Sequence, residues 1–179
     1  MRVKIISFII GCVIGAILGG IQINAWAMPV GFTELSKYGQ DIQDAEEYME
    51  TNYIDIPFEV EEACEKYGEE YNIIPEIGEA LCWRESRCTA NAKNGSCRGI
   101  AQINVNVHQS RMEKLGVSDI NDIDGNVHIA FDYLNDLVED NGDIAKSLDE
   151  YNGNHQGGKS NYAKQILTVA SILDRTGGD

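Results

Sequence analysis

From Phe58 onward the apolar residues of this chain return every three or four positions, and no run alternates convincingly. That period restricts the fold more than any other feature. A spacing of about 3.6 residues lines one face of a helix, whereas a spacing of about two lines one face of a strand. Phe58 to Tyr71 places Val60, Ala63, Cys64 and Tyr67 on one stripe. Pro75 suits the first turn of a second helix, with Glu76 favourable at its positive end, and Ile77, Ala80, Leu81 and Arg84 follow at helical spacing. Val105 to Leu115 reads as a helix ended by Gly116. Gly125 to Asp140 carries Val127, Ala130, Phe131, Leu134, Leu137 and Val138, the clearest amphipathic pattern, and Gly142 ends it. Asp143 to Tyr151 turns Ile144 and Leu148 inward, and Ser160 caps a last helix whose inner face is Tyr162, Ile166, Val169 and Leu173. Thr89 to Arg98, rich in Asn, Gly and Ser, reads as a loop. The expected fold is mainly α, with a small β-hairpin near residues 90–104.

The chain begins with a short basic stretch, then an apolar run from Ile5 to Ile23, then Ala25-Trp26-Ala27. Residues 1–27 therefore read either as a signal peptide cleaved after Ala27 or as a membrane anchor through residues 5–23, since about 20 apolar residues span a bilayer. Both readings place the remainder outside the cytoplasmic membrane, exported or anchored at its outer face. Residues 28–57 are polar and acidic, a spacer or accessory helix with Ser36 to Met49 as its helical part. Residues 58–176 form the main domain. The net charge of −15 excludes a nucleic-acid partner, because phosphate needs Lys and Arg.

Export changes how the cysteines read. Outside the leader there are four, Cys64, Cys82, Cys88 and Cys97, an even number that argues for two disulfides. Of the three pairings, Cys64–Cys82 and Cys88–Cys97 are favoured. No C-x-x-C pair exists and His108, His128 and His155 are scattered, so no metal is expected. The stretch DINDIDGN fails the calcium-loop register, because Gly125 at the sixth position puts Ile120 first and Phe131 twelfth. It reads as a helix-capping loop.

Glu85 lies between Arg84 and Ser86 at the end of the second helix, beside its apolar stripe. A carboxyl partly in apolar surroundings favours its neutral form and makes a usable general acid. The plain alternative is a surface charge paired with Arg84, Arg87 or Arg98. Past a loop comes Gly99-Ile100-Ala101-Gln102, and much later Glu150-Tyr151-Asn152. With the lead-in KYGEEYNIIPEIGEALCWRES and the closing NYAKQIL, these motifs resemble the soluble-lytic-transglycosylase type of lytic transglycosylase domain, a relative of goose-type lysozyme, over roughly residues 58–170. The size and the leader are similar to those of conjugation- or phage-associated members. That resemblance implies partners in conjugation or secretion machinery.

The resemblance implies a lysozyme-like helical fold and peptidoglycan glycan strands as substrate, with no cofactor. Glu85 would be the acid and then the base. Ser86 would orient substrate or carboxylate, Gln102 would contact the sugar, and Gly99 would let the backbone pass close to the cleft. Tyr151 and Asn152 would line the cleft opposite Glu85, with Tyr162 a further candidate. The bland alternatives are a helix-end hydroxyl for Ser86, an ordinary turn glycine for Gly99, and packing for Tyr151 and Tyr162. Two residues depart from the family pattern: Ala101 stands where a Met is usual, and Glu150 where an Ala is common, adding a charge that either raises the pKa of Glu85 or faces water. The implied reaction cleaves the β-1,4 bond between N-acetylmuramic acid and N-acetylglucosamine and leaves a 1,6-anhydromuramyl end. The alternatives are a muramidase using a second carboxylate from Asp119, Asp122 or Asp124, and a non-catalytic wall-binding or scaffold module.

Overall fold

A computed structural model describes residues 28–177; the leader or anchor expected over residues 1–27 lies outside them. In chain order the elements are α1 (Phe32–Leu35), α2 (Ala45–Thr51), α3 (Phe58–Tyr71), α4 (Pro75–Ser86), β1 (Lys93–Asn94), β2 (Cys97–Arg98), β3 (Ile103–Asn104), α5 (Gln109–Leu115), α6 (Ile123–Asn141), α7 (Ile144–Tyr151) and α8 (Asn161–Thr176). The described protein is thus mainly helical with one small antiparallel sheet, β1-β2-β3, as the apolar period requires.

The helices start and stop where the sequence signals stand. Pro75 opens α4 at a position whose N–H has no partner within a helix. The side chains of Asp122, Asp143 and Ser160 accept from backbone N–H groups three residues on and cap α6, α7 and α8. Asp122 lies within the DINDIDGN stretch, which does act as a capping loop. The helix expected from Val105 starts four residues later, because Asn104 takes the Asn106 N–H on its side chain and forms a turn first.

The centre is α4, in which Ile77 through Trp83 are all buried. A helix enclosed all round needs neighbours on every side; α3, α6 and α8 supply them. Gly78 sets the approach of α6: a β-carbon there would strike the Phe131 ring and lie 3.1 Å from the Cys64 sulfur.

Residues 28–57 pack against this core. Ser171 on α8 donates to the Tyr38 carbonyl at 2.8 Å, Arg175 to the Ile42 carbonyl at 3.1 Å, and the Trp83 indole to the Tyr53 carbonyl at 3.2 Å. Val30 bridges Ile73 in parallel, just ahead of α4. The helix expected over 36–49 is met only from Ala45 to Met49, within α2, which runs on to Thr51. Leu35 and Ile54 reach the core from outside any long helical stripe. Among the described residues no helix is long and apolar enough to cross a membrane.

Candidate active site

The last turn of α4 delivers Glu85 to the edge of the core, half-buried. Tyr162, itself buried on α8, donates its phenol hydrogen to Glu85 Oε1. Burial pushes the Glu85 carboxyl above its ordinary range, and the hydrogen bond from Tyr162 and the charge of Arg84 offset only part of that. The Tyr151 and Tyr162 phenols are pushed well up, first by burial and then by the charge of Glu85. Glu85, Tyr151 and Tyr162 thus form one electrostatic group contributed by α4, α7 and α8.

Ser86 serves the adjoining turn. Its hydroxyl donates to the Ile100 carbonyl at 2.7 Å and accepts from the Thr89 N–H at 3.0 Å. Tyr151 donates to the Ala101 carbonyl at 3.0 Å, so α4 and α7 grip the turn from two sides. From beneath, the fully buried Asn126 of α6 accepts from the Ala101 N–H at 2.8 Å and donates to the carbonyls of Arg98 and Ile120 at 3.2 and 2.8 Å. Gly99 faces inward: at φ +76° it leaves room for Asn126, and a β-carbon would sit 2.6 Å from the Ile120 carbonyl oxygen. Its missing side chain makes space for Asn126 of α6. Gln102 is half-buried, has φ +50° and donates its amide to the Gly99 carbonyl at 2.9 Å.

The backbone around the acid is strained. Arg87 and Cys88, directly after α4, and Gln102 in the turn all have φ between 50° and 55°. Each such non-glycine residue costs about 1 kcal/mol or more, a cost that concentrates at functional sites.

The other sequence candidates have partners of their own. Asn152 ends α7 and is exposed. Glu150 accepts from the Asn141 amide at 3.1 Å and is not among the groups that shift Glu85. Asp119 accepts from the Asn121 N–H, Asp122 caps α6, and Asp124 pairs with Lys66 at 2.8 Å and accepts from Tyr67. The four cysteines are thiols in the structure. Cys64 and Cys82 lie within hydrogen-bonding reach, and the Cys88 N–H bonds the Cys82 carbonyl at 3.4 Å, while Cys97 stands on β2. Among the described residues no group of three or more His, Cys, Asp or Glu is placed to hold a metal ion.

Two concave regions, of about 750 and 510 Å³, have linings that do not include Glu85. The larger is walled by Ile54, Asp55, Phe58, Glu62, Glu76 and Leu173, and the smaller lies between α3 and the start of α6.

Sequence reasoning missed Asn126 and Asp149. Asp149, fully buried on α7, accepts from the Gly158 N–H at 2.7 Å and from the Ser160 hydroxyl, and so ties down the glycine-rich loop that leads from Tyr151 to Tyr162. A buried polar residue on an otherwise apolar helix face was the available signal for both.

The family model for the transglycosylase SLT domain matches residues 62–169. No curated protein and no solved structure matched the chain. The match spans α4 with Glu85, the turn of Gln102, and the helices bearing Tyr151 and Tyr162. The chain belongs to the transglycosylase SLT domain family.

Proposed function

We propose that this protein is a peptidoglycan lytic transglycosylase that uses Glu85 as its sole acid and base. The observation that carries the reading is the setting of Glu85: half-buried, hydrogen-bonded by the Tyr162 phenol, and with its carboxyl raised by burial. A raised carboxyl keeps a transferable proton closer to neutral pH. Glu85 protonates the oxygen of the β-1,4 bond between N-acetylmuramic acid and N-acetylglucosamine. The 2-acetamido oxygen of the muramic acid stabilises the charge that develops at C1. Glu85, now a carboxylate, removes the proton of the C6 hydroxyl, and the C6 oxygen closes on C1. The product is a 1,6-anhydromuramyl end, and no water is consumed.

The single-acid route gains support from the carboxylates nearby. Ordinary hydrolysis of a glycoside uses two, one on each side of the scissile bond. Tyr162 and Arg84 act on Glu85 by hydrogen bond and by charge. Asp122 and Asp124 are engaged with α6 and Lys66. Tyr162 orients the acid. Ser86 and Tyr151 hold the turn from which Gln102 meets the sugar, and Asn152, next to Tyr151 in the chain, is a further sugar contact in this reading. In this reading residues 58–176 form the catalytic unit with residues 28–57 as an accessory element, and the chain acts outside the cytoplasmic membrane.

The test is digestion of purified peptidoglycan with mass analysis of the products, comparing the natural chain with Glu85→Gln. Anhydro ends, lighter by one water than reducing ends, are expected from the first and not from the second. Reducing ends would make the enzyme a muramidase. Binding to wall without cleavage by either form would make it a wall-binding module, and undiminished lysis by Glu85→Gln would remove Glu85 from the mechanism.

A further inference from the structure

Arg84 precedes Glu85 on α4, and its side chain reaches across to α8. Its Nε donates to Gln165 Oε1 at 2.9 Å, and its guanidinium carbon lies 5.3 Å from the centre of the Tyr162 ring. Gln165 stands one turn after Tyr162 on the same helix. The phenol of Tyr162 in turn donates to Glu85. A closed circuit results: Arg84 to Gln165, Gln165 along α8 to Tyr162, Tyr162 to Glu85, and Glu85 back to Arg84 through one peptide bond.

Arg84 is held by no salt bridge among the described residues, in a chain with 29 Asp and Glu residues. Ion pairing is therefore not what holds this half-buried side chain in place. A planar guanidinium that bonds an amide along one edge while covering an aromatic face does what an ammonium cannot do at once.

We propose that Arg84 is a positioning residue: anchored on Gln165 and laid over the Tyr162 ring, it fixes the phenol that holds Glu85 and sets the acid's orientation for both proton transfers. The proposal rests on the reading of Glu85 as the acid. The two transfers ask opposite things of one carboxyl, since the first needs it protonated and the second needs it ionised. The groups that face Glu85 are Arg84 on its own helix, Tyr162 on α8 and Tyr151 on α7. Burial serves the first transfer. The Tyr162 hydrogen bond and the Arg84 charge favour the ionised form and serve the second.

Three variants of the full chain separate charge from anchorage. Arg84→Met removes both: turnover should fall about tenfold with KM within about twofold, and the alkaline limb of the activity profile should move to higher pH. Arg84→Lys keeps the charge but not the planar bridge, so turnover should fall and the limb should move upward by less than in Arg84→Met. Gln165→Leu removes the anchor alone and should lower turnover about threefold and move the limb upward by less than Arg84→Met, because a loosened Tyr162 phenol favours the carboxylate less. A purely structural role would lower stability or yield without moving the limb. The titration of the Glu85 carboxyl carbon by NMR gives a readout independent of activity and should move upward in Arg84→Met. If that titration and the turnover of Arg84→Met both match the natural protein, the proposal is overturned. Failure of the natural chain to cleave wall, or retention of cleavage by Glu85→Gln, would instead overturn the reading of Glu85, and the NMR titration would still decide whether Arg84 acts on that carboxyl.

Discussion

Asn126 is the side chain on which the turn beside Glu85 most depends, and replacing it with alanine gives a prediction with a calculable size. The amide is fully buried and makes three hydrogen bonds, to the Ala101 N–H and to the carbonyls of Arg98 and Ile120. A typical hydrogen bond contributes about 1 kcal/mol net, and a buried group left unpaired costs about 1–3 kcal/mol. Asn126→Ala should therefore lose roughly 3–5 kcal/mol of unfolding free energy. Gly99→Ala attacks the same contact from the other side: it places an L-residue at φ +76° and drives a methyl group into the Asn126 amide and the Ile120 carbonyl. The left-handed backbone alone costs about 1–2 kcal/mol, and displacing the amide adds to it. Because the methyl and the amide compete for one space, the double variant should lose less than the sum of the singles, by about 1 kcal/mol or more. Urea unfolding followed by circular dichroism at constant m measures all three. Strict additivity, or a loss below about 1 kcal/mol for Asn126→Ala, would refute the reasoning.

Four further outcomes are expected. Glu85 has its folded pKa raised, so the native state binds the extra proton, and stability falls as pH rises from the unfolded pKa through the folded one. Glu85→Gln should thus melt higher than the natural protein at pH 7, with the gain absent below the unfolded pKa, as scanning calorimetry at both pH values would show. Asp132 behaves oppositely: burial pushes it up, but Lys114 and Arg111 outweigh burial and hold it below the usual range. Its contribution is present above the unfolded pKa and is lost as pH falls through the folded one. Asp132→Ala should therefore cost about 3 kcal/mol near neutral pH and less in acid, measured by urea unfolding. In oxidising conditions Cys64 and Cys82 should pair, and closing that loop should contribute about 3 kcal/mol; peptide mapping without reductant checks the bond, and Cys64 and Cys82 both alkylatable under those conditions would contradict it. Tyr162→Phe should cut lysis about tenfold and move the alkaline limb upward, because it removes a hydrogen bond that favours the carboxylate, as the pH profile of peptidoglycan digestion would show.

The helices of the main domain could be read before any coordinates because their signals are local. Pro75 and Ser160 mark starts, and Val127 to Leu134 repeats on one face, although α6 begins two residues ahead of the Gly125 the sequence suggested. The sheet was legible only as a place, since strands of two residues are too short to show alternation. Residues 28–57 gave little, because Tyr38 and Ile42 meet partners on α8 more than 130 positions away and leave no period behind. Glu85 stood out through its neighbours in sequence. Asn126 did not, since an asparagine near a helix start looks like any cap until the turn it supports is placed over it. Arg84 was visible as a member of a helical stripe, but its crossing to Gln165 depends on how α4 meets α8.

The short parallel bridge between Val30 and Ile73 fixes where the chain enters the domain. Ile73 stands immediately before α4, and Glu85 lies in that helix's last turn, so the ten-residue rise between Pro75 and Glu85 separates entry and acid by about 15 Å. Val30 is thereby held at the end of α4 opposite Glu85, so the accessory segment and the acid take the two poles of one buried helix.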